Sequence, residues 1–443
     1  MTAQVTTAGP GTGQVRLLAG WRESGQGAGL REHVARYGRL PQRGQRRGRR
    51  PGPLARIVAE AGLTGRGGAG FPTGTKLHAV AEQGAPAVVV ANGMESEPAS
   101  EKDQVLLSLA PHLVLDGAAA AAEAVGADAV HLCLPRSRPW LADQLEAAVA
   151  ERRRAGLDPV PVRVHMLPGY YVSSEETALV RWLNGGEARP LGAPPRPFER
   201  GVGKRPTLID NVETLAHIGL ITRYGPGWFR QAGQPGAPGT MLLTVTGAVS
   251  VPGVYEVELG TTISRALALA GPPGPLAAVL VGGYFGSWLD PAAAALPLTA
   301  AAMKSAGAAL GAGVLLAFPA QACGLRETAR VLDYLAAQGA GQCGPCMFGL
   351  PAIADDFAQL ASGRHGAAAL ARLERRLAVI PGRGACRHPD GAVRLASSAL
   401  TTFAADVHAH VRRQPCMAAR NGTPQPVLPV PRARPDGPEE RWQ

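Results

Sequence analysis

Long apolar runs are missing from this 443-residue chain. Although 46% of its residues are hydrophobic, no stretch of about 18 uncharged apolar residues occurs. The most apolar segment, Ala118 to Leu134, is interrupted by Glu123 and Asp128. A membrane-spanning helix is therefore not expected, and the opening residues lack the apolar core of a secretory signal. Both absences point to a cytoplasmic chain. Lysine is nearly absent too: only Lys76, Lys102, Lys204 and Lys304 among 45 basic residues are not arginine. Where arginine fills the generic basic roles, a retained lysine marks a need for a compact point charge. The six cysteines, in a chain of that kind, argue against structural disulfides. Aromatic residues make up 5%. None interleaves with the basic run Arg43 to Arg50, so the stacking pattern of a nucleic-acid-binding segment is excluded. Much of the net charge of +11 sits in that run and in Arg412 to Arg434. These are solvated tails, or a face for an acidic redox partner or the inner surface of an anionic membrane.

Glycine, by contrast, is abundant, with 57 residues. Its densest cluster is Gly65-Arg66-Gly67-Gly68-Ala69-Gly70-Phe71-Pro72-Thr73-Gly74-Thr75-Lys76. Bare backbone N–H groups flanked by Arg66 and Lys76 can cradle a phosphate, and the alternative is a merely tight turn. Phe-Pro-Thr-Gly stands where the ordinary dinucleotide fingerprint would begin its helix, so this is a different loop.

Around this loop the chain divides into regions. Residues 1–50 read as a basic flexible arm with a short helix near Leu30 to Tyr37. Residues 51–232 alternate short apolar strands (Ala87 to Val90, Ala129 to Leu134) with helices such as Pro111 to Val125, the pattern of an α/β domain with a parallel sheet. Gly233 to Gly239 reads as a linker. Residues 237–315 open with a hairpin, Met241 to Thr246 and Gly253 to Val257, followed by a helix from Thr262 to Ala270; this order predicts a small β-grasp module. Residues 320–418 have helical periodicity, broken at Gly339 to Gly344 and at Pro381 to Asp390. Residues 419–443 have no periodicity and are expected to be disordered.

Three more motifs carry polar chemistry. Asn92-Gly93-Met94-Glu95-Ser96-Glu97-Pro98 follows a strand, so its polar groups emerge at a sheet's carboxyl edge. Tyr171-Val172-Ser173-Ser174-Glu175-Glu176-Thr177 places two acids at a helix start, where acids are favourable in any helix. Lys204-Arg205-Pro206-Thr207 leads to Asp210-Asn211-Val212-Glu213-Thr214-Leu215, a turn into a helix with a capping residue. In order and in residue type the four motifs resemble those of the NADH-oxidising flavoprotein subunit of respiratory complex I, related chains of which occur in NAD-linked hydrogenases and formate dehydrogenases. The resemblance implies a Rossmann-like FMN and NADH domain, a soluble-ligand-binding β-grasp domain and a helical iron–sulfur domain. It implies cofactor contacts from Gly65, Arg66, Gly67, Gly68, Phe71, Lys76, Asn92, Glu95, Glu97, Tyr171, Glu175, Glu176, Asn211 and Thr214. Phe71 would stack on the nucleotide, Lys76 would hold phosphate or ring oxygen, and Glu97 and Glu176 would hold NADH. Departures from the family pattern are Met94 for aspartate, Ser174 for glycine, Asp210 for asparagine, and no aromatic residue after Lys76.

Gln342-Cys343-Gly344-Pro345-Cys346 places a C-x-x-C in a glycine-rich break between helices, without the βαβ context of a thioredoxin-like motif. By resemblance, Cys343, Cys346 and Cys386 hold an iron–sulfur cluster, [4Fe–4S] or [3Fe–4S] because Ala340 replaces one cysteine. Cys323, His388 or Cys416 is a candidate to complete it, and a degenerate site without a cluster is the alternative. The expected function is an NADH-oxidising redox module that passes electrons to a ferredoxin-like protein, a thioredoxin-like [2Fe–2S] subunit or a membrane-bound reductase complex. The competing reading, favoured by the departures, is an assembly subunit that has lost NADH turnover.

Overall fold

The computed structural model of the chain describes residues 15–19, 26–41, 52–192, 194–271, 274–414, 416, 426–431 and 442. The basic run 43–50 lies outside the described residues. Strands β1 (Ala87–Asn92), β2 (Ala127–Pro135), β3 (Val162–Leu167) and β4 (Thr207–Asn211) form a parallel sheet in the order β3-β2-β1-β4. Ala87, Val89 and Ala91 enter one core while Val88 and Val90 enter another. Burial on both faces explains why β1 is an unbroken apolar run rather than an alternating one.

The apolar stretch from Ala118 proves to be the buried end of the helix Pro111–Val125 followed by β2. Pro111 starts that helix, and Gly126, at φ 69°, closes it in the left-handed conformation that glycine adopts at no steric cost. A Cβ on Gly117 would lie 1.7 Å from the Leu215 carbonyl oxygen, so this helix and Val212–Phe229 meet backbone to backbone. No single helix among the described residues is long and apolar enough to cross a membrane.

The expected linker at 233–239 is instead a two-stranded hairpin, β5 (Gly233–Gln234) with β6 (Ala237–Pro238). Beyond it, β7 (Thr240–Gly247), β8 (Gly253–Glu258), β9 (Leu276–Val281), β10 (Ser287–Leu289) and β11 (Val314–Pro319) form a sheet in the order β10-β9-β11-β7-β8. β11 runs parallel to β7 and the remaining pairs are antiparallel, as in a β-grasp. One face packs Leu243, Val245, Val281 and Leu315 against the helix Ile263–Leu269. The other packs Leu280, Leu316 and Phe318 against the helices Gly324–Ala337 and His388–Thr402.

Described residues within both expected flexible segments pack against the domains. Within the 1–50 arm, Leu17 is fully buried in the α/β core. Beside it, the Arg16 backbone N–H donates to Glu256 at 2.9 Å, and its guanidinium lies 3.9 Å from the Trp228 ring centre. Within 419–443, Leu428 is buried and donates its backbone N–H to Glu327 at 3.0 Å, and the Trp442 ring stacks on Tyr170 at 3.8 Å. Isolated apolar residues in polar segments carry no periodicity, so their burial is decided by distant partners.

Candidate functional site

Strand order reverses between β1 and β4, and ligands of open α/β sheets bind outside the carboxyl ends at such a point. β1 ends on Asn92 and β4 on Asn211, which face each other in register. Asn211 caps the helix Val212–Phe229 by accepting from the Glu213 backbone N–H at 3.0 Å. The glycine loop closes above this edge. Its ends are tied by the Gly65 N–H donating to the Phe71 carbonyl at 2.8 Å. Gly68 and Gly70 sit at φ 108° and 62°, a region other residues rarely adopt. A Cβ on Gly67 would stand 3.2 Å from the Asn211 Cβ, and one on Gly68 would stand 3.7 Å from Gly311 in the β-grasp domain.

Lys76, on the helix Thr73–Glu82 that follows the loop, reaches Glu176, the Ile209 carbonyl and Asp210. Burial works against its charge, yet Asp210 and Glu176 outweigh that and raise its pKa. Asp210 is pushed up to about 6 by burial, against the pull of Lys76. Its Oδ2 atom is buried without a partner, as is the Thr73 hydroxyl at the start of the helix. Phe71 is 53% exposed, and the Glu176 side chain is half-exposed beside Lys76. A bare-backbone loop, a half-sheltered lysine and orphaned buried polar atoms are what a bound phosphate-bearing cofactor would meet, so the residues fit FMN.

The remaining sequence candidates brace the crevice from behind. Arg66 turns inward to the Thr64 and Thr240 carbonyls, with its backbone N–H on the Thr214 hydroxyl at 2.8 Å. The positive charge expected at that end of the loop, and the Thr214 hydroxyl, are thus spent inside the protein. Glu95 accepts from the Asp103 and Gln104 backbone N–H groups and from Arg138, at 2.8 to 3.0 Å, capping the helix Lys102–Leu109. Burial pushes its pKa up to about 7. Glu97, expected to hold NADH, is buried and takes hydrogen bonds from the Tyr171 hydroxyl at 2.7 Å and the Tyr284 backbone at 2.8 Å. The Tyr171 backbone N–H in turn donates to Gln338 of the helical domain at 2.9 Å, so both residues also tie the α/β domain to its neighbours. Glu175 caps the helix Glu176–Leu183 through the Thr177 and Ala178 backbone N–H groups.

Sequence reasoning missed the network that orients Asn211. Lys102 is buried against Asp103 at 2.6 Å and Glu213 at 3.0 Å, and Asn211 donates to Asp103 at 2.6 Å. The scarcity of lysine was the one available signal.

Burial pushes Glu97 up to about 7. A carboxyl raised in the folded state stabilises the fold below its ordinary pKa and loses that contribution as pH rises to about 7. The loss is on the order of 3 kcal/mol. Glu97→Gln is therefore expected to flatten the fall in Tm of the wild type between pH 5 and 8, as followed by calorimetry.

Cys343 precedes the helical turn Pro345–Gly349 and Cys346 lies within it, and Cys386 precedes the helix His388–Thr402. The Gly341 N–H donates to Cys346 Sγ at 3.3 Å, and a Cβ on Gly339 would lie 2.6 Å from that sulfur. Burial pushes the Cys386 thiol up to about 11, with Glu175, Cys346 and Cys343 all close enough to act on it. Three convergent thiols with backbone N–H groups aimed at sulfur fit an iron–sulfur cluster. Of the candidates for a fourth ligand, His388 lies at this site with a buried, unpartnered Nδ1 while its Nε2 meets the Leu335 carbonyl at 2.7 Å. Cys323 and Cys416 do not; they join His410 in a separate group.

Sequence and structure comparisons agree with this geometry. Residues 58–220 match the Nuo51 FMN-binding domain, 242–280 the SLBB domain and 326–410 the NADH-ubiquinone oxidoreductase-F iron–sulfur binding region. The NADH-quinone oxidoreductase F subunit 2 of Rhizobium meliloti is 30% identical over 381 residues, 83% of this chain and 90% of that protein. The chain belongs to the family of NADH-quinone oxidoreductase F subunits. The corresponding protein of Escherichia coli is 30% identical over 88% of this chain and 92% of its own. The HoxS alpha subunit of the NAD-reducing hydrogenase of Cupriavidus necator is 37% identical, over 50% of this chain and 39% of its own. The solved air-oxidized NAD+-reducing [NiFe]-hydrogenase superposes with a TM-score of 0.78 at 30% identity, covering 90% of this chain and 67% of that one. A solved NAD+-reducing [NiFe]-hydrogenase in the H2-reduced state gives 0.76 at 32% identity and covers 81% of this chain and 62% of that one.

Against the family pattern, Met94 is no loss to the crevice, because its side chain is fully buried with Val88, Val90 and Leu179. The Ser174 hydroxyl is likewise engaged, with Ser96 at 2.5 Å.

Proposed function

We infer that the chain oxidises NADH with FMN and releases the electrons singly through an iron–sulfur cluster to a redox partner. One observation carries this reading. Arg181, on the helix beginning at Glu176, donates to Gln342, the neighbour of Cys343, at 2.9 Å, while Glu176 pairs with Lys76 in the crevice. The flavin crevice and the thiol triad therefore share one wall. FMN, when bound, supplies an acceptor for hydride that can give up its electrons one at a time.

The chain's own work is positional. The glycine loop offers backbone N–H groups to phosphate, and Lys76 neutralises the flavin's anionic groups. Asn92 and Asn211 present polar groups at the sheet edge, Phe71 offers an exposed ring for the nicotinamide nucleotide, and Glu176 accepts a hydrogen bond from one of that nucleotide's hydroxyls. Phe348 and Met347, 71% and 51% exposed beside Cys346, put the thiol triad near the surface where a partner can collect electrons.

An anaerobic NADH titration tests the reading. Bleaching of the flavin band with the appearance of a cluster EPR signal is expected; a protein that neither binds flavin nor bleaches would support the assembly reading. Ala340→Cys, at a buried position whose backbone N–H points to Cys346, is expected to raise the iron content per chain in elemental analysis.

A further inference from the structure

Cys323, His410 and Cys416 lie outside the redox machinery, and the fold brings them together. The ligand atoms of Cys323, His410 and Cys416 all lie within 4.8 Å of one another, and all three residues are buried. Cys323 is the N-cap of the helix Gly324–Ala337, so its sulfur stands at the positive end of that helix. His410 lies in the last turn of the helix Ala404–Val411. Cys416 follows that helix.

We propose that Cys323, His410 and Cys416 form a zinc site that fastens the end of the chain to the helical domain. Three features favour a metal over incidental packing. The His410 Nδ1 lies 3.3 Å from the Leu360 carbonyl, so it carries the proton and leaves the Nε2 lone pair toward Cys323 Sγ, 3.8 Å away. A histidine fixed through its far nitrogen by a carbonyl is the usual support for a metal-bound imidazole. Sulfur and nitrogen ligands about 2.3 Å and about 2.0 Å from a tetrahedral zinc stand roughly 3.5 Å apart, close to the separation seen. Two thiolates and an imidazole are a soft set that selects zinc over magnesium or calcium.

The fourth position falls to water, since the ligand atoms that come together are those of Cys323, His410 and Cys416. The site's position gives it a purpose. Glu327, one turn into the helix that Cys323 caps, holds the backbone of Val427 and Leu428 at 3.2 and 3.0 Å. A zinc at Cys416 would hold a second point of the chain against the same helix. The site is independent of the flavin and of the iron-binding triad.

Metal analysis of the full chain, purified with thiols reduced, tests this. About one zinc per chain is expected in addition to iron. Cys416→Ser and His410→Ala should each lose that zinc, with flavin and iron contents unchanged. Because either variant could fold poorly, zinc-free wild type is also titrated with Co2+. A thiolate-to-cobalt charge-transfer band and tetrahedral d–d absorption are expected, both abolished by added zinc. Reduced wild type that takes up neither metal would overturn the site, as would zinc retained in both variants. A Cys416→Ser protein that loses iron instead would overturn it by assigning Cys416 to the cluster, and a Cys323–Cys416 disulfide found by mass spectrometry would replace zinc with a covalent fastening.

Discussion

Lys76→Ala is expected to purify without bound flavin, with FMN binding about 30- to 150-fold weaker than in the wild type. That range corresponds to roughly 2–3 kcal/mol for a hydrogen bond to a charged group. The lysine stands where the glycine loop, the end of β4 and the helix at Glu176 converge. It is the counter-charge for both Asp210 and Glu176. Removing it takes away the cation that meets the flavin's anionic groups. It also leaves Asp210, already pushed up to about 6, more strongly protonated. Lys76→Arg is not expected to restore binding fully, because a planar guanidinium cannot take the place of a compact ammonium between three acceptors. The flavin-to-protein absorbance ratio and an FMN titration read the outcome. A Lys76→Ala protein with its full flavin complement would remove this residue from the cofactor site.

Cys346→Ser has an equally large expected effect on a different observable. Iron falls to background and the reduced-cluster EPR signal disappears, while NADH still bleaches the flavin band. The separation is expected because Cys346 lies in the helical domain's core cluster, whereas the glycine loop rests on Asn211 at the edge of the α/β sheet. Turnover with a one-electron protein acceptor should fall with the iron, while a two-electron dye continues to be reduced. Iron retained in Cys346→Ser would place the cluster elsewhere.

The departures that favoured an assembly role weigh less once their surroundings are known. Met94 fills an apolar core and Ser174 is tied to Ser96. Asp210 remains polar, directed at Lys76, with one oxygen unpartnered. Each side chain has been absorbed without filling the loop of bare amides. Ala340 and the missing aromatic residue after Lys76 are the exceptions, because one removes a cluster ligand and the other a ring.

Much of this was legible in the chain itself. The valine run of β1, the proline and glycine bounding Pro111–Val125, the glycine loop and the cysteine spacing are local signals, each set by residues within a turn or two. Motif order then placed the loop, the two asparagines and Lys76 at one sheet edge. Which way each acid points was not local. Glu97 and Glu176 belong to equally acidic motifs, yet Tyr171 and Tyr284 draw one into a domain junction while Lys76 holds the other in the crevice. Arg66 resembles Lys76 as a loop cation but turns to carbonyls at Thr64 and Thr240. Cys323 and His410, 87 positions apart, share no motif and meet only because helices pack. The sequence by itself determined the family, the sheet and the cofactor loop. Tertiary structure decided which polar groups face the ligand, because a side chain's direction follows its packing partners, and those lie far away along the chain.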